Sequence, residues 1–258
     1  MAIIFLRQQL LKIVSRLNYF KNKVVLITGA TSGLGLEIAK ELSKTEAIVY
    51  LNGKNKKEVE TQIQKINNSN VLPAAGDISN DKDIEEIVKK IKRKSNRLDI
   101  LINNAGVYSS KDFIKTNYNE LLYNLKVNLL GHLHLTLLAV KLMSKNKFGR
   151  IINISSGSGE HGGILPSLGY ALSKNALTFM AKILPKELEP YNIYINTFVI
   201  RFMKTKMYEN FRKHYKHYFK KDFVPGLKVY SPEEVAKKIV KFLKSTEKKK
   251  IAGKIIHI

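Results

Sequence analysis

The sequence predicts an α/β fold: a doubly wound, mainly parallel sheet flanked by helices, in a single domain. Three observations carry that prediction. Short apolar runs of strand length alternate with helical patterns from Lys23 onward. A glycine turn, Thr28-Gly29-Ala30-Thr31-Ser32-Gly33-Leu34-Gly35, joins the first run to the first helical pattern. The 258 residues are 44% apolar, enough for a sizeable core.

The elements follow in order. Before the first strand, Met1 to Phe20 carries Arg7, Lys12 and Arg16, with Ile3, Ile4, Leu6, Leu10, Leu11, Ile13, Val14 and Leu17 at roughly helical spacing. This predicts a basic amphipathic helix, so residues 1–21 form a segment appended to a domain of residues 22–258. Lying on an anionic membrane, serving as an organelle transit peptide and packing on the domain are all open to it. The expected location is cytoplasmic, with membrane association or an organelle as the alternatives this segment raises. Val24-Val25-Leu26-Ile27 reads as a buried parallel strand. The glycine turn then lets the backbone bend tightly and approach a pyrophosphate, whose charge the N–H groups of the next helix can meet. Leu36 to Leu42 continues that helix.

Ala47 to Asn52 is the second strand, Lys56 to Ile66 a helix, Val71 to Ala75 the third strand and Asn80 to Lys94 a helix. Leu98 to Ile102 is the fourth strand, followed by one long helical stretch from Tyr118 to Ser144. Arg150 to Ser155 is the fifth strand. Leu168 to Leu188 is helical, with Pro185 expected to kink or end it. Ile193 to Val199 is the sixth strand, and Phe202 to Tyr230 reads as irregular, aromatic and basic. Ser231-Pro232-Glu233-Glu234 supplies an N-cap, a proline and an acidic first turn for a helix to Lys244. Gly253 to Ile258 is the last strand.

Composition bounds the function. Without cysteine, disulfides, thiolate metal sites and cysteine nucleophiles are excluded. No run is expected to span a membrane. The net charge of +24 suggests anionic partners. However, all but seven of the 45 basic residues are lysine, as an AT-rich coding sequence would produce. No zinc-finger spacing, RNP-type motif or long basic tail is present, so no nucleic-acid partner is expected. His132 and His134 stand two apart with no third ligand near in sequence. They are read as structural and no metal site is expected; His161 is read as a solvated loop residue, with contact to substrate as the alternative.

Asn103-Asn104-Ala105-Gly106 follows the fourth strand, and Tyr170-Ala171-Leu172-Ser173-Lys174 opens a helix. Together with Thr28–Gly35, these motifs resemble those of the short-chain dehydrogenase/reductase family, over roughly residues 22–258. Within it the chain is similar to NADP-dependent carbonyl and 3-oxoacyl reductases. The resemblance implies a Rossmann-like fold and an NAD(P)-dependent oxidoreductase. Such an enzyme moves a hydride between a nicotinamide cofactor and a carbonyl or secondary alcohol, here with a 3-oxoacyl or lipid-like substrate in view. The alternative is a nucleotide-binding regulator that keeps the fold with little turnover.

Residue by residue, the resemblance implies the following. Thr28, Gly29, Thr31, Ser32, Gly33, Leu34 and Gly35 match the cofactor pyrophosphate turn. Asp77 and Ile78 match the positions beside the adenine, and Asn104, Ala105 and Gly106 brace the sheet next to the cofactor. Asn128, Ser156, Tyr170 and Lys174 match the catalytic set, Lys174 also binding the cofactor ribose, and Thr205 matches the threonine that approaches the carboxamide. Ser156 stands one residue further from Tyr170 than in many relatives, so Ser155 and Ser158 remain alternatives. Ile200-Arg201 replaces a Pro-Gly pair that shapes the nicotinamide end. Residues 200–230 match the substrate lid. Lys54 stands where NADP-using relatives often carry a basic residue, with no carboxylate in Leu51 to Asn55, so NADP(H) is expected over NAD(H). Family members form homodimers or homotetramers through helices matching Tyr118–Ser144 and Leu168–Leu188. An acidic acyl carrier protein is a candidate partner, since Lys147 matches one of its docking positions while Tyr191 replaces another.

In that chemistry Tyr170 gives a proton to a carbonyl oxygen or takes one from an alcohol. Lys174, one helical turn on, shares its face. The expectation is that this ammonium lowers the phenol pKa from about 10. Ser156 would donate to the same oxygen as charge develops, and Asn128 would hold a water relaying protons toward Lys174.

Overall fold

The computed structural model describes residues 19–244 and 252–258. The predicted amphipathic helix lies almost wholly outside the described residues. Seven strands form one sheet: β1 (Val24–Ile27), β2 (Ile48–Gly53), β3 (Val71–Ala75), β4 (Ile100–Asn103), β5 (Gly149–Ser156), β6 (Ile193–Ile200) and β7 (Ile255–His257). They are all parallel, in the order β3-β2-β1-β4-β5-β6-β7. The predicted strand ends agree within two residues, the usual scatter of element boundaries.

The main helices are α1 (Gly33–Ser43), α2 (Lys56–Ile66), α3 (Asp81–Ser95), α4 (Tyr118–Leu125) and α5 (Gly131–Lys145). After β5 come α6 (Ser158–His161), α7 (Leu168–Ile183), α8 (Pro185–Leu188), α9 (Lys206–Phe219) and α10 (Pro232–Leu243). Alternate side chains of a strand point to opposite faces. Val25 and Ile27 therefore join Ile38, Leu42, Val235 and Ile239 in one core under α1 and α10. Val24 and Leu26 join Ile84, Ile91, Leu135, Met143 and Leu177 in a second core under α3, α5 and α7. Burial on both faces is why β1 reads as an unbroken apolar run.

Chain direction across the sheet reverses at β1. Its neighbours are β2 on one side and β4 on the other, so a crevice opens beyond its carboxyl end. The glycine turn lies there.

Three expectations are corrected. The stretch 118–145 is not one α-helix: a π-helical turn, Lys126–Leu130, separates α4 from α5. Gly131 explains the close packing behind it, since a Cβ there would overlap the Ile78 carbonyl. By length and composition this stretch could cross a bilayer, contrary to expectation, yet half of its apolar window is buried in the domain. Finally, Phe202–Tyr230 is not irregular throughout, because it contains the 14-residue α9. Thr205 caps α9, its Oγ1 accepting from the Tyr208 N–H. Tyr208, Phe211, Tyr215 and Phe219 recur at helical spacing, and Phe211 and Tyr215 pack on Phe223. Pro185 acts as expected: α7 ends at Ile183 and Pro185 opens α8.

Candidate active site

A cavity of about 810 Å³ runs along the carboxyl ends of the central strands. One half is walled by the glycine turn. Gly29 has φ +61°, and a Cβ there would come within 2.7 Å of the Ala105 Cα. Only glycine combines that backbone with that approach. Thr31, Ser32, Gly33 and Leu34 line the cavity at the start of α1. Ser32 is the N-cap residue but makes no side-chain capping bond, so the first N–H groups of α1 keep no cap of their own.

Thr28 and Gly35 stand behind this wall. The Thr28 hydroxyl oxygen accepts from the Asn104 and Ala105 N–H groups, at 2.9 and 3.0 Å. Gly35 lies against the Gly29 carbonyl and the Asn104 amide, where a Cβ would not fit. The Asn104 amide also donates to the Thr28 and Gly29 carbonyls. These contacts bring Asn104, Ala105 and Gly106 to the cavity beside the turn.

Further along, Asn52 at the end of β2 donates to the Ala74 and Gly76 carbonyls. Lys54 and Asp77 face each other across the rim, with Nζ and Oδ2 2.8 Å apart. Burial pushes the Asp77 carboxyl up. Hydrogen bonds from Lys54 and Ser79 more than offset it and hold the group below the ordinary carboxylate range. Ile78 follows on the cavity wall.

Ser156, Tyr170 and Lys174 form the floor of the other half. Ser156 is the last residue of β5, and its hydroxyl stands beside the Tyr170 phenol, where it favours the phenolate. Strand alternation turns Ser155 and Ser156 to opposite faces. Ser155 turns beneath α7, donating to the Lys174 carbonyl and accepting from the Thr178 hydroxyl, while the Ser158 N–H donates to the Ser156 Oγ. Lys174 Nζ donates to the Ile154 carbonyl at 2.8 Å and lies 5.6 Å from the Tyr170 ring centroid.

Burial governs both titrations. It pushes the Tyr170 phenol up to about 12, against the hydrogen bond from Ser156, and the Lys174 ammonium down to about 8. The expectation that Lys174 would lower the phenol pKa is therefore corrected for this state. Desolvation of each charged form dominates, and the amine is turned to the Ile154 carbonyl.

Asn128 lies in the π-helical turn, fully buried behind the wall. Its Oδ1 accepts from the Val107 N–H at 2.8 Å and its Nδ2 donates to the Val107 carbonyl at 2.9 Å. Thr205 lines the cavity opposite Gly33 and also caps α9. Ile200 pairs with Ser156 across the sheet, and its carbonyl accepts from the Gly157 N–H. Arg201 is exposed at the rim, its N–H bonded to the Ile258 carbonyl. The Pro-Gly replacement thus keeps a regular strand end.

Sequence reasoning missed Tyr108. Its ring meets Tyr170 edge-on at 5.1 Å and Phe211 of α9 at 6.4 Å. Phe202 and Phe211 continue this aromatic wall. No local pattern marks Tyr108, because its partners lie 62 and 103 residues away. His161, expected in a loop, instead ends the short helix α6, exposed at the cavity wall. His134 faces Asp81 at the surface while His132 is buried, and no group of three metal-ligand side chains occurs among the described residues.

A short chain dehydrogenase family model matches residues 23–216. The 3-oxoacyl-(acyl-carrier-protein) reductase of Aquifex aeolicus is 32% identical over 241 residues, 92% of this chain and 96% of that one. The carbonyl reductase family member 4 of Xenopus laevis is 28% identical over 224 residues, 87% of this chain and 92% of that one. Among solved structures, an NADPH-dependent reductase involved in bacilysin biosynthesis superposes with a TM-score of 0.82 at 27% identity. That match covers 91% of this chain and 96% of the other. A short-chain type dehydrogenase/reductase from Mycobacterium marinum gives a TM-score of 0.85 at 22% identity, covering 95% and 96%, a likeness of fold alone.

Proposed function

The chain belongs to the short-chain dehydrogenase/reductase family and is an NAD(P)-dependent oxidoreductase, and from that premise we propose that it uses NADPH to reduce the carbonyl of an apolar acyl substrate, a 3-oxoacyl group presented on an acidic carrier. One observation carries the reading: Ser156, Tyr170 and Lys174 meet on the floor of an aromatic chamber continuous with the glycine turn. The names of the relatives, several of them 3-oxoacyl-(acyl-carrier-protein) reductases, support the acyl substrate and the carrier.

The residues fit the cofactor. Gly29 and Gly33 keep φ positive, and at Gly29 a side chain would also crowd Ala105, while the uncapped start of α1 suits a pyrophosphate. Asp77 and Ile78 would hold the adenine side, Asn104 to Gly106 would back the ring, Thr205 would meet the carboxamide and Lys174 would bind ribose hydroxyls. Lys54 supports NADPH, since an ammonium there suits a 2′-phosphate. When bound, the cofactor supplies the hydride to the carbonyl carbon.

The chain's own groups handle the oxygen. Ser156 donates a hydrogen bond to it as negative charge develops. Tyr170 then transfers its phenolic proton, giving the alcohol. Its upward shift to about 12 suits a group that must hold a proton until an alkoxide forms. Lys174 supplies positive charge beside the phenolate left behind, and Asn128 positions the segment through which that proton is replaced. The aromatic wall of Tyr108, Phe202 and Phe211 excludes water from the acyl end. Exposed Leu168, Leu172, Phe179 and Ile183 on α7 and Leu130 and Leu137 on the 118–145 stretch support a homodimer or homotetramer.

The test is NADPH consumption with a 3-oxoacyl thioester, scored by the 3-hydroxyacyl product. Wild type turns over with a lower KM for NADPH than for NADH, and Tyr170→Phe binds NADPH but produces no alcohol. Nucleotide binding without turnover on any carbonyl would favour the regulatory reading.

A further inference from the structure

His132 is fully buried in the first turn of α5 and faces two cofactor-side segments at once. Its Nε2 lies 3.3 Å from the Thr28 Oγ1, and its Nδ1 lies 3.2 Å from the carbonyl oxygen of Asn128. The proton positions follow by counting. The Thr28 oxygen has two lone pairs, and the Asn104 and Ala105 N–H groups fill both. It can accept nothing more. Nε2 therefore carries no proton and can only receive the Thr28 hydroxyl hydrogen, for which the Ile102 carbonyl at 3.3 Å competes. Nδ1 then holds the single ring proton and donates it to Asn128.

We infer that His132 is a positioning residue for Asn128: a neutral imidazole, protonated on Nδ1, that clamps the Asn128 carbonyl in the π-helical turn and ties it to the glycine turn through Thr28. Burial, with Lys174 as the facing charge, pushes the ring down to about 3 and agrees with the neutral form. The clamp has a mechanical consequence. The Asn128 side chain holds both polar backbone groups of Val107, so anchoring the Asn128 backbone through its carbonyl also fixes the chain just after Asn103–Gly106. The π-helical turn puts this carbonyl where the regular helical register is broken. Thr28 does not need the imidazole for its own work, because its two accepted bonds come from the 104–105 backbone. Losing the ring should therefore disturb Asn128 more than the cofactor cradle. The catalytic consequence rests on the role proposed above for Asn128.

The test compares the full chain with His132→Phe, which keeps a ring and removes both nitrogens, and His132→Asn, whose amide can still donate to the carbonyl one turn back. Ring 15N shifts of histidine-labelled protein read the tautomer directly. A protonated Nδ1 and a bare Nε2 throughout pH 6–8 is expected, and a protonated Nε2 overturns the inference. Hydrogen exchange reads the clamp: the Val107 amide should exchange on the order of tenfold faster in His132→Phe while β1 amides keep their protection. Uniformly faster exchange would mean general loosening and overturn it. In turnover, His132→Phe should lose on the order of 100-fold in kcat, with NADPH affinity little changed and most of the loss regained by His132→Asn. A kcat equal to wild type in His132→Phe overturns the positioning role. The first two readouts need no activity, so an inactive wild type with the expected tautomer and exchange would sink the functional reading and leave the clamp standing.

Discussion

Replacing Lys174 by methionine should make the cofactor-free protein more stable while abolishing turnover. Lys174 is 4% exposed, and its ammonium donates to the Ile154 carbonyl. Burial takes its titration from an ordinary 10.5 to about 8. At about 1.4 kcal/mol per factor of ten in the proton equilibrium, keeping the ammonium there costs about 3 kcal/mol at pH 7. Methionine fills similar volume without charge, but it gives up the bond to Ile154, a loss of about 1 kcal/mol. A net gain of about 2 kcal/mol remains, or roughly 4–8 °C in Tm for a domain of this size.

The sign has a pH signature. Between about 8 and 10.5 the unfolded lysine binds a proton that the folded one has lost, so wild-type stability rises with pH across that window. The advantage of Lys174→Met should be full below pH 8 and largely gone by pH 10.5. The Tyr170 contribution, destabilising above its unfolded pKa near 10 because the folded phenol titrates at about 12, is common to both proteins and cancels. Urea unfolding at fixed protein concentration, at several pH values, measures the gap. A variant no more stable than wild type at pH 7, or a gap that persists unchanged to pH 10.5, refutes the reasoning. A lysine kept at such a cost for the proposed chemistry is the expected exchange between stability and activity.

Three other outcomes are expected. Gly131→Ala forces a Cβ into the Ile78 carbonyl; it should cost roughly 1–3 kcal/mol in urea unfolding and raise the KM for NADPH, since Ile78 lines the cavity. A variant with wild-type stability would mean that the turn gives way easily. Lys213 and Lys216 lie on α9 and Lys220 at its end, all exposed. Raising ionic strength should lower kcat/KM more steeply for carrier-linked or anionic substrates than for neutral ketones; reversing these three charges should remove the difference, and equal salt profiles for both classes would exclude a docking role. Light scattering at micromolar concentration should report a dimer or tetramer, and Leu172→Lys with Phe179→Lys should shift it to monomer. An unchanged mass would move the interface away from α7.

The sequence alone determined the layered architecture, the glycine turn and the motif residues that the cavity gathers. Those features are written in local chemistry. Strands buried on both faces must be continuously apolar, a tight turn with positive φ needs glycine, and a proline ends a helix in its own neighbourhood. Tyr170 and Lys174 share a face because four residues make about one turn. The tertiary structure decided what depends on partners remote in sequence. Thr28 reaches Asn104 and His132, 76 and 104 residues away, and no periodicity announces those bonds. The Gly131–Ile78 approach accompanies a π-helical turn inside what reads as one helix, and it puts Asn128 behind the wall. Tyr108 joins the cavity wall only because the fold sets Phe211 of α9 against it. Even the Tyr170 titration went against the expectation from its neighbour, because a side chain's dielectric surroundings are set by everything folded around it, not by the residue one turn away.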